Sequence, residues 1–336
     1  MAQIRPFSLR VGALLVFLAI AATYLRARSA PLRLVKTVSL PDVQGRIDHF
    51  GIDLRGNRLF MSALGNNTLE VFNLKTGARI HTIRGLDHPQ GVVYAPHAKR
   101  IFIDNAGDGT CRIFDGSSYR LLRVIHFSSD ADDARYDART RRVYVGYGDG
   151  GLAVIDPAHA TLAETIKLPV HPEAFEVGPL GTDVYVNLPS AGNIIGVVSL
   201  STWRIIATWK IAGAAGNFPM ALDAAQHRLF VVCRRPAELV VLSTRSGRAI
   251  ARVPCTGDAD DLWLDAACKR LYISGGQGYI SVIAQLDANH YRTVSQIRSV
   301  PGARTSCFVP ELSRLYLGVR RYGDHPAELR IYQAEK

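Results

Sequence analysis

The sequence predicts an all-β fold: a seven-bladed β-propeller with four antiparallel strands per blade, its ring closed by the N-terminal strand. Three observations predict it. First, a triplet of basic, aliphatic and aromatic residues recurs as Arg58-Leu59-Phe60, Arg100-Ile101-Phe102, Arg142-Val143-Tyr144, Arg228-Leu229-Phe230, Arg270-Leu271-Tyr272 and Arg314-Leu315-Tyr316. Asp183-Val184-Tyr185 fills the gap, and the successive spacings are 42, 42, 41, 45, 42 and 44 residues. A period of that length belongs to a four-strand blade repeated around an axis. Second, each period holds short apolar runs with the alternation of a half-buried strand, as in Thr68-Leu69-Glu70-Val71-Phe72. Gly-Asn-Asn, Lys-Thr-Gly and Pro-Gln-Gly stand between the runs, where the chain must reverse. Third, Leu32 to Leu40 reads as a strand without a blade, while the last unit, Ser306 to Lys336, supplies only three strands. The first strand therefore completes the last blade, because an open ring would expose sheet edges.

In chain order, residues 1–30 form a leader and residues 32–336 the propeller. Arg5 and Arg10 give the leader a basic start, and Val11 to Leu25 is an uncharged apolar run of 15 residues. That length suits a signal peptide or signal anchor. Cleavage after Ser29 would use Ala27 and Ser29 as the small pair, and no Cys follows the run to mark a lipoprotein. The body is thus expected to be exported, as a soluble periplasmic protein or one anchored to the inner membrane by its N-terminal segment. Blades then begin near His49, Gly91, Ala134, Ala174, Met220, Leu262 and Ser306, with no linker and no helix of consequence.

Composition narrows the function. At 336 residues and 48% hydrophobic, the chain has ample core material. Its 40 Lys+Arg against 29 Asp+Glu give +11, which falls to +7 once the four leader arginines are set aside. No Lys/Arg-rich run with interleaved aromatics appears, which disfavours nucleic acid. Five cysteines without C-x-x-C or C-x-x-C-H argue against a disulfide framework and against haem. Gly146 to Gly151 satisfies G-x-G-x-x-G, but the strand Leu152 to Asp156 follows where a helix would be needed, so no nucleotide is expected. The ring is expected to be a monomer.

Topology divides the loops between two faces. Turns joining strands one to two and three to four are base-rich and share a lower face, where Asp53–Arg58, Asp137–Arg142, Asp223–Arg228 and Asp265–Arg270 repeat a five-residue spacing. Each such arginine is expected to pair across its own turn. Crossings between blades lie on the upper face, at the start of each innermost strand, and read RIDH (46–49), DHPQ (87–90), DADD (130–133), HPE (171–173), NFPM (217–220), DADD (258–261) and ARTS (303–306). Their candidate ligand-binding residues are Asp48, His49, His88, Gln90, Asp132, Asp133, His171, Glu173, Asn217, Asp260, Asp261 and Arg304. Crowded carboxylates need protons, Arg304 or a bound cation. A divalent cation is one candidate cofactor, with Asp133, His171, Glu173 and Asp261 as candidate ligands. The alternatives are a polar ligand pocket without metal, and simple capping of the strand starts.

The strand–turn–strand pattern, the Asn-Asn-Thr turn, the Pro-Gln-Gly before a blade, Tyr185-Val186-Asn187 and Tyr144-Val145-Gly146 together resemble the YVTN-type β-propeller repeat family over residues 32–336. That resemblance implies the propeller fold and export, and relatives that include binding proteins and scaffolds. Two function classes follow. One is a binding or scaffold module whose upper mouth takes a small polar ligand or a partner's loop, with a membrane tether at the N-terminus if the leader stays uncleaved. The other is a metal-dependent lactonase, hydrolase or lyase. No catalytic motif is recognisable, which favours the first.

Overall fold

In the computed structural model, which describes residues 30–335, seven four-stranded antiparallel sheets stand around one axis. The leader and the cleavage position after Ser29 lie outside the described residues. Innermost strands are Phe50–Asp53, Pro89–Ala95, Ala131–Asp137, Phe175–Val177, Ala215–Asp223, Ala259–Asp265 and Ser306–Val309, for blades 1 to 7 in turn. Three short 3-10 turns are the only helical elements among the described residues. No described helix is long and apolar enough to cross a membrane.

Each recurring triplet opens a second strand. Its aliphatic and aromatic members are buried in the cores between adjacent blades, as Leu59, Phe60, Ile101 and Phe102 show. The last blade is completed by the first strand. Leu32–Leu40 runs antiparallel to Ala327–Ala334, with Leu32 opposite Ala334 and Leu40 opposite Ala327. Its two ends reach different cores: Leu32 sits between blades 6 and 7, and Leu40 between blades 7 and 1.

The triplet arginine has a role other than the expected one. Asp53 and Arg58 do pair across their own turn, at 2.7 Å. Arg142 instead pairs with Asp156, while Asp137 faces Arg139 and Thr140. Arg228 and Arg270 turn away from Asp223 and Asp265, whose carboxylates bind Gln285 and Tyr272. Five of these arginines reach the next blade. Arg58 donates to the Gly116 carbonyl, Arg100 to Pro157, Arg228 to Ala288, Arg270 to Glu335 and Arg314 to Lys75. All five acceptors lie where the third and fourth strands of the neighbouring blade meet. A guanidinium can span that gap because it carries several donors on a long stem. The repeat therefore encodes a clip between blades, which explains why the basic member recurs without its carboxylate.

Candidate binding site at the channel mouth

The blade crossings enclose a cavity of about 510 Å³ at the upper end of the channel. Four innermost strands begin with a one-residue register shift, in blades 2, 3, 5 and 6. Strict alternation would send consecutive side chains to opposite faces; a bulge re-aims one of them. Asp132 and Asp133, and likewise Asp260 and Asp261, consequently line the same cavity.

Of the expected residues, His49, His88, Gln90, Asp132, Asp133, His171, Glu173, Asp260, Asp261 and Arg304 line the cavity. Asp48 is fully buried behind it, held by Arg46 at 2.8 Å. Asn217 is also fully buried, but within the wall, where its amide donates to Asn187 and to the Ile194 carbonyl. His88 is exposed at the rim beside Asp87. Gln90 donates to Asp130.

Sequence reasoning missed Arg46, Arg135, Arg234 and Glu176, which also line the cavity. The crowded acids are thus neutralised partly by arginines, not by Arg304 alone. Arg234 donates to Asp260 at 2.6 Å and lies over the Phe218 ring at 3.6 Å. Arg304 holds both Asp258 and Asp260, and Arg135 holds Asp133. Arg135 and Glu176 sit one alternation step along the innermost strands from Asp133 and Ala174, so period two could have found them. Arg234 lies at the end of a second strand and had no such signal.

Burial and charge together set the protonation of this site. Burial pushes Asp48 up to about 7 against the pull of His49 and Arg46. Burial also lifts Glu173 and Glu176 to about 7, with Asp132 adding to the first and Asp133 to the second. Asp133 and Asp261 are raised for the same reason, and Asp104, wholly enclosed beneath the mouth, is raised well above the usual carboxylate range. Burial of His171 opposes its charge, yet Asp132, the Gly148 carbonyl and Asp130 outweigh it and lift the imidazole to about 9. His49 is likewise held protonated by Asp261 and Asp48 despite its burial. The mouth therefore mixes neutral acids, carboxylates and cations in one half-enclosed chamber, where the buried ones are costly unless paired.

The four candidate metal ligands share the cavity, but three of them have another engagement. Asp133 pairs with Arg135, Asp261 accepts from the Ser306 amide, and His171 donates through Nδ1 to Gly148 and faces Asp132 through Nε2. An imidazole ligates a metal through a free lone pair, which this arrangement does not leave. Among the described residues no three His, Cys, Asp or Glu side chains converge as a metal-ligand set.

No family model matches the chain, and no curated protein does. A solved structure of Kuenenia stuttgartiensis hydrazine synthase is similar at a TM-score of 0.73 and 14% identity, covering 88% of this chain and 95% of that one. At that identity the likeness shows the propeller fold alone.

Proposed function

We propose that this chain is an exported propeller of the YVTN type that acts as a binding or scaffold module, its upper mouth taking a small polar ligand or the loop of a partner. One observation carries the reading: the mouth gathers acid, imidazole and guanidinium side chains from blades 1 to 7 into a single chamber of about 510 Å³. Stability does not call for such a chamber, because buried charges cost more than an apolar plug of equal volume. Perturbed titratable groups in a cleft mark functional sites more often than chance.

The lower face carries the start of the first strand. Leu32 lies opposite Ala334, whose amide bonds to Ser313 in a lower turn. A leader joined there emerges from the base-rich face, so an uncleaved leader would turn that face to the bilayer and the mouth to solution. The test of the binding reading is a thermal-shift panel of polar compounds on the wild type and on Asp133→Asn and Asp261→Asn. A compound that stabilises the wild type and loses its effect in the variants supports the mouth; equal shifts in all three place binding elsewhere. Elemental analysis of the same preparation decides whether a divalent cation, and with it the hydrolase reading, enters at all.

A further inference from the structure

The lower face projects charge of one sign. Its acids are folded in: Asp53, Asp115, Asp137, Asp223 and Asp265 each accept from a backbone amide of their own turn. Glu311 and Asp287 are the exposed acids of those turns, and His290 holds the second. The bases point out. Lys75, Lys99, Arg141, Arg204, Arg245 and Lys269, one from each of blades 1 to 6, are exposed and, among the described residues, make no ion pair. Three of them stand where the backbone favours another residue. Lys99, Arg141 and Lys269 occupy the left-handed position of their turns, at φ 53°, 54° and 51°, which suits asparagine best, as at Asn57. The turn itself therefore does not select the positive charge. Apolar tips stand among these bases. Leu180, 74% exposed, is the most exposed large apolar side chain among the described residues, and Leu286 and Leu54 are 56% and 47% exposed. All three lie in lower turns, of blades 4, 6 and 1. Beside Leu54 the lower end of the channel opens as a cavity of about 580 Å³, lined in part by Ile52, Tyr94, Pro96 and Tyr136.

Resting on the orientation given above, in which an uncleaved leader emerges from the lower face, we propose that these turns dock on an anionic lipid bilayer. The bases meet headgroup phosphates, and Leu54, Leu180 and Leu286 enter the layer beneath them. Two observations choose that occupant. Unpaired bases around a ring of turns complement a surface of negative headgroups, and exposed leucines between them gain only where an apolar layer lies within reach. The chain's own course brings such a layer close. Only Arg26 to Pro31 separate the apolar run from the first strand, a reach of at most roughly 20 Å. Nucleic acid would meet the same bases, but it offers the leucines nothing.

The experiment is lysine acetylation of the full chain, read by mass spectrometry, with vesicles of phosphatidylcholine and with vesicles of equal parts phosphatidylcholine and phosphatidylglycerol. Lys75, Lys99 and Lys269 report the lower face, and Lys167 and Lys210, at the upper ends of fourth strands, report the other side. Phosphatidylglycerol is expected to shield the first three and high salt to release them, with Lys167 and Lys210 labelled alike throughout. The Lys99→Asn/Arg141→Asn/Lys269→Asn variant suits the left-handed turns and should keep its melting temperature. It should nevertheless need at least about tenfold more phosphatidylglycerol to shield Lys75, as loss of three headgroup contacts implies. Lys99→Asn alone, with a smaller shift in the same direction, guards against a misfolded triple variant. Flotation of the same samples separates this face from the tether. A chain that floats on both vesicles yet labels its lower lysines equally on both keeps the tether and overturns the docking face. A chain that floats only with phosphatidylglycerol, its lower lysines shielded, keeps the face and overturns the tether; one that floats on neither overturns both. Shielding of Lys167 and Lys210, or shielding of the lower lysines by duplex DNA and not by phosphatidylglycerol, also overturns the proposal.

Discussion

Removing the apolar anchors of the first strand should open the ring. Leu32 and Leu40 are 2% and 1% exposed, and each belongs to a different inter-blade core. Truncating a buried leucine to alanine costs about 2–5 kcal/mol, from lost transfer energy and the cavity left behind. The two positions stand at opposite ends of a nine-residue strand, roughly 26 Å apart, so their effects should add. The double variant should then lose about 4–10 kcal/mol, a large share of the roughly 5–15 kcal/mol that holds a domain folded. At about 2 °C per kcal/mol for a body of this size, each single variant should melt at least about 4 °C lower. Thermal unfolding followed by circular dichroism is the assay, and Leu34→Ala, on a side chain 45% exposed, is the control expected to change little. If Leu32→Ala and Leu40→Ala both melt within about 1 °C of the wild type, the strand does not hold the ring shut.

Other outcomes follow from the same structure. Arg100→Met removes the clip to the Pro157 carbonyl and should cost about 1.5–3 kcal/mol in urea unfolding, whereas Arg55→Met, on an exposed side chain with no clip, should cost nothing measurable. The titration of the mouth has a definite sign. Asp48, Glu173 and Glu176, raised to about 7, and His171, raised to about 9, all bind protons more tightly in the folded state. Their stabilisation is complete below the unfolded values and is lost as pH rises through the folded ones. Melting temperature should therefore fall between about pH 5 and 9, more shallowly in Glu173→Gln/Glu176→Gln; a rise over that window contradicts these assignments. Cell fractionation with N-terminal sequencing decides the tether: a membrane-bound chain that keeps Arg26 supports it, and a soluble periplasmic chain starting at Ala30 removes the lower face from any membrane role.

The fold was legible because a propeller writes itself seven times. Alternation and turn residues agree in every unit, the triplet in six of the seven, and the missing fourth strand of the last blade points to the first strand for closure. The arginine clips were half legible. Their recurrence was visible, but a five-residue Asp–Arg spacing suggests a local pair, and only the packing of neighbouring blades shows that the guanidinium reaches across. The mouth was legible at most crossing residues, as at His171 and Asp261, although Arg46, also in a crossing, was passed over. Asn217 misled because its side chain turns into the wall, while Phe218, Pro219 and Met220 of the same crossing line the cavity. Arg135 and Glu176 were passed over as strand residues although alternation aims them inward, and Arg234 stands near the end of a second strand, whose reach into the mouth the sequence does not mark. Asp104 gave no signal at all: a carboxyl fully buried beneath the mouth, beside the Cys111 thiol and far from any cationic partner of its own strand, runs against the composition of an inner strand.

The most direct measurement is carboxyl footprinting of the full chain, by esterification with a diazo reagent and mass spectrometry, with and without the compound that shifts melting most. The account predicts that labelling of Glu173 and Glu176 falls saturably with that compound while Glu311, exposed in a lower-face turn, keeps its label. Unchanged labelling of both mouth glutamates at saturation would contradict it.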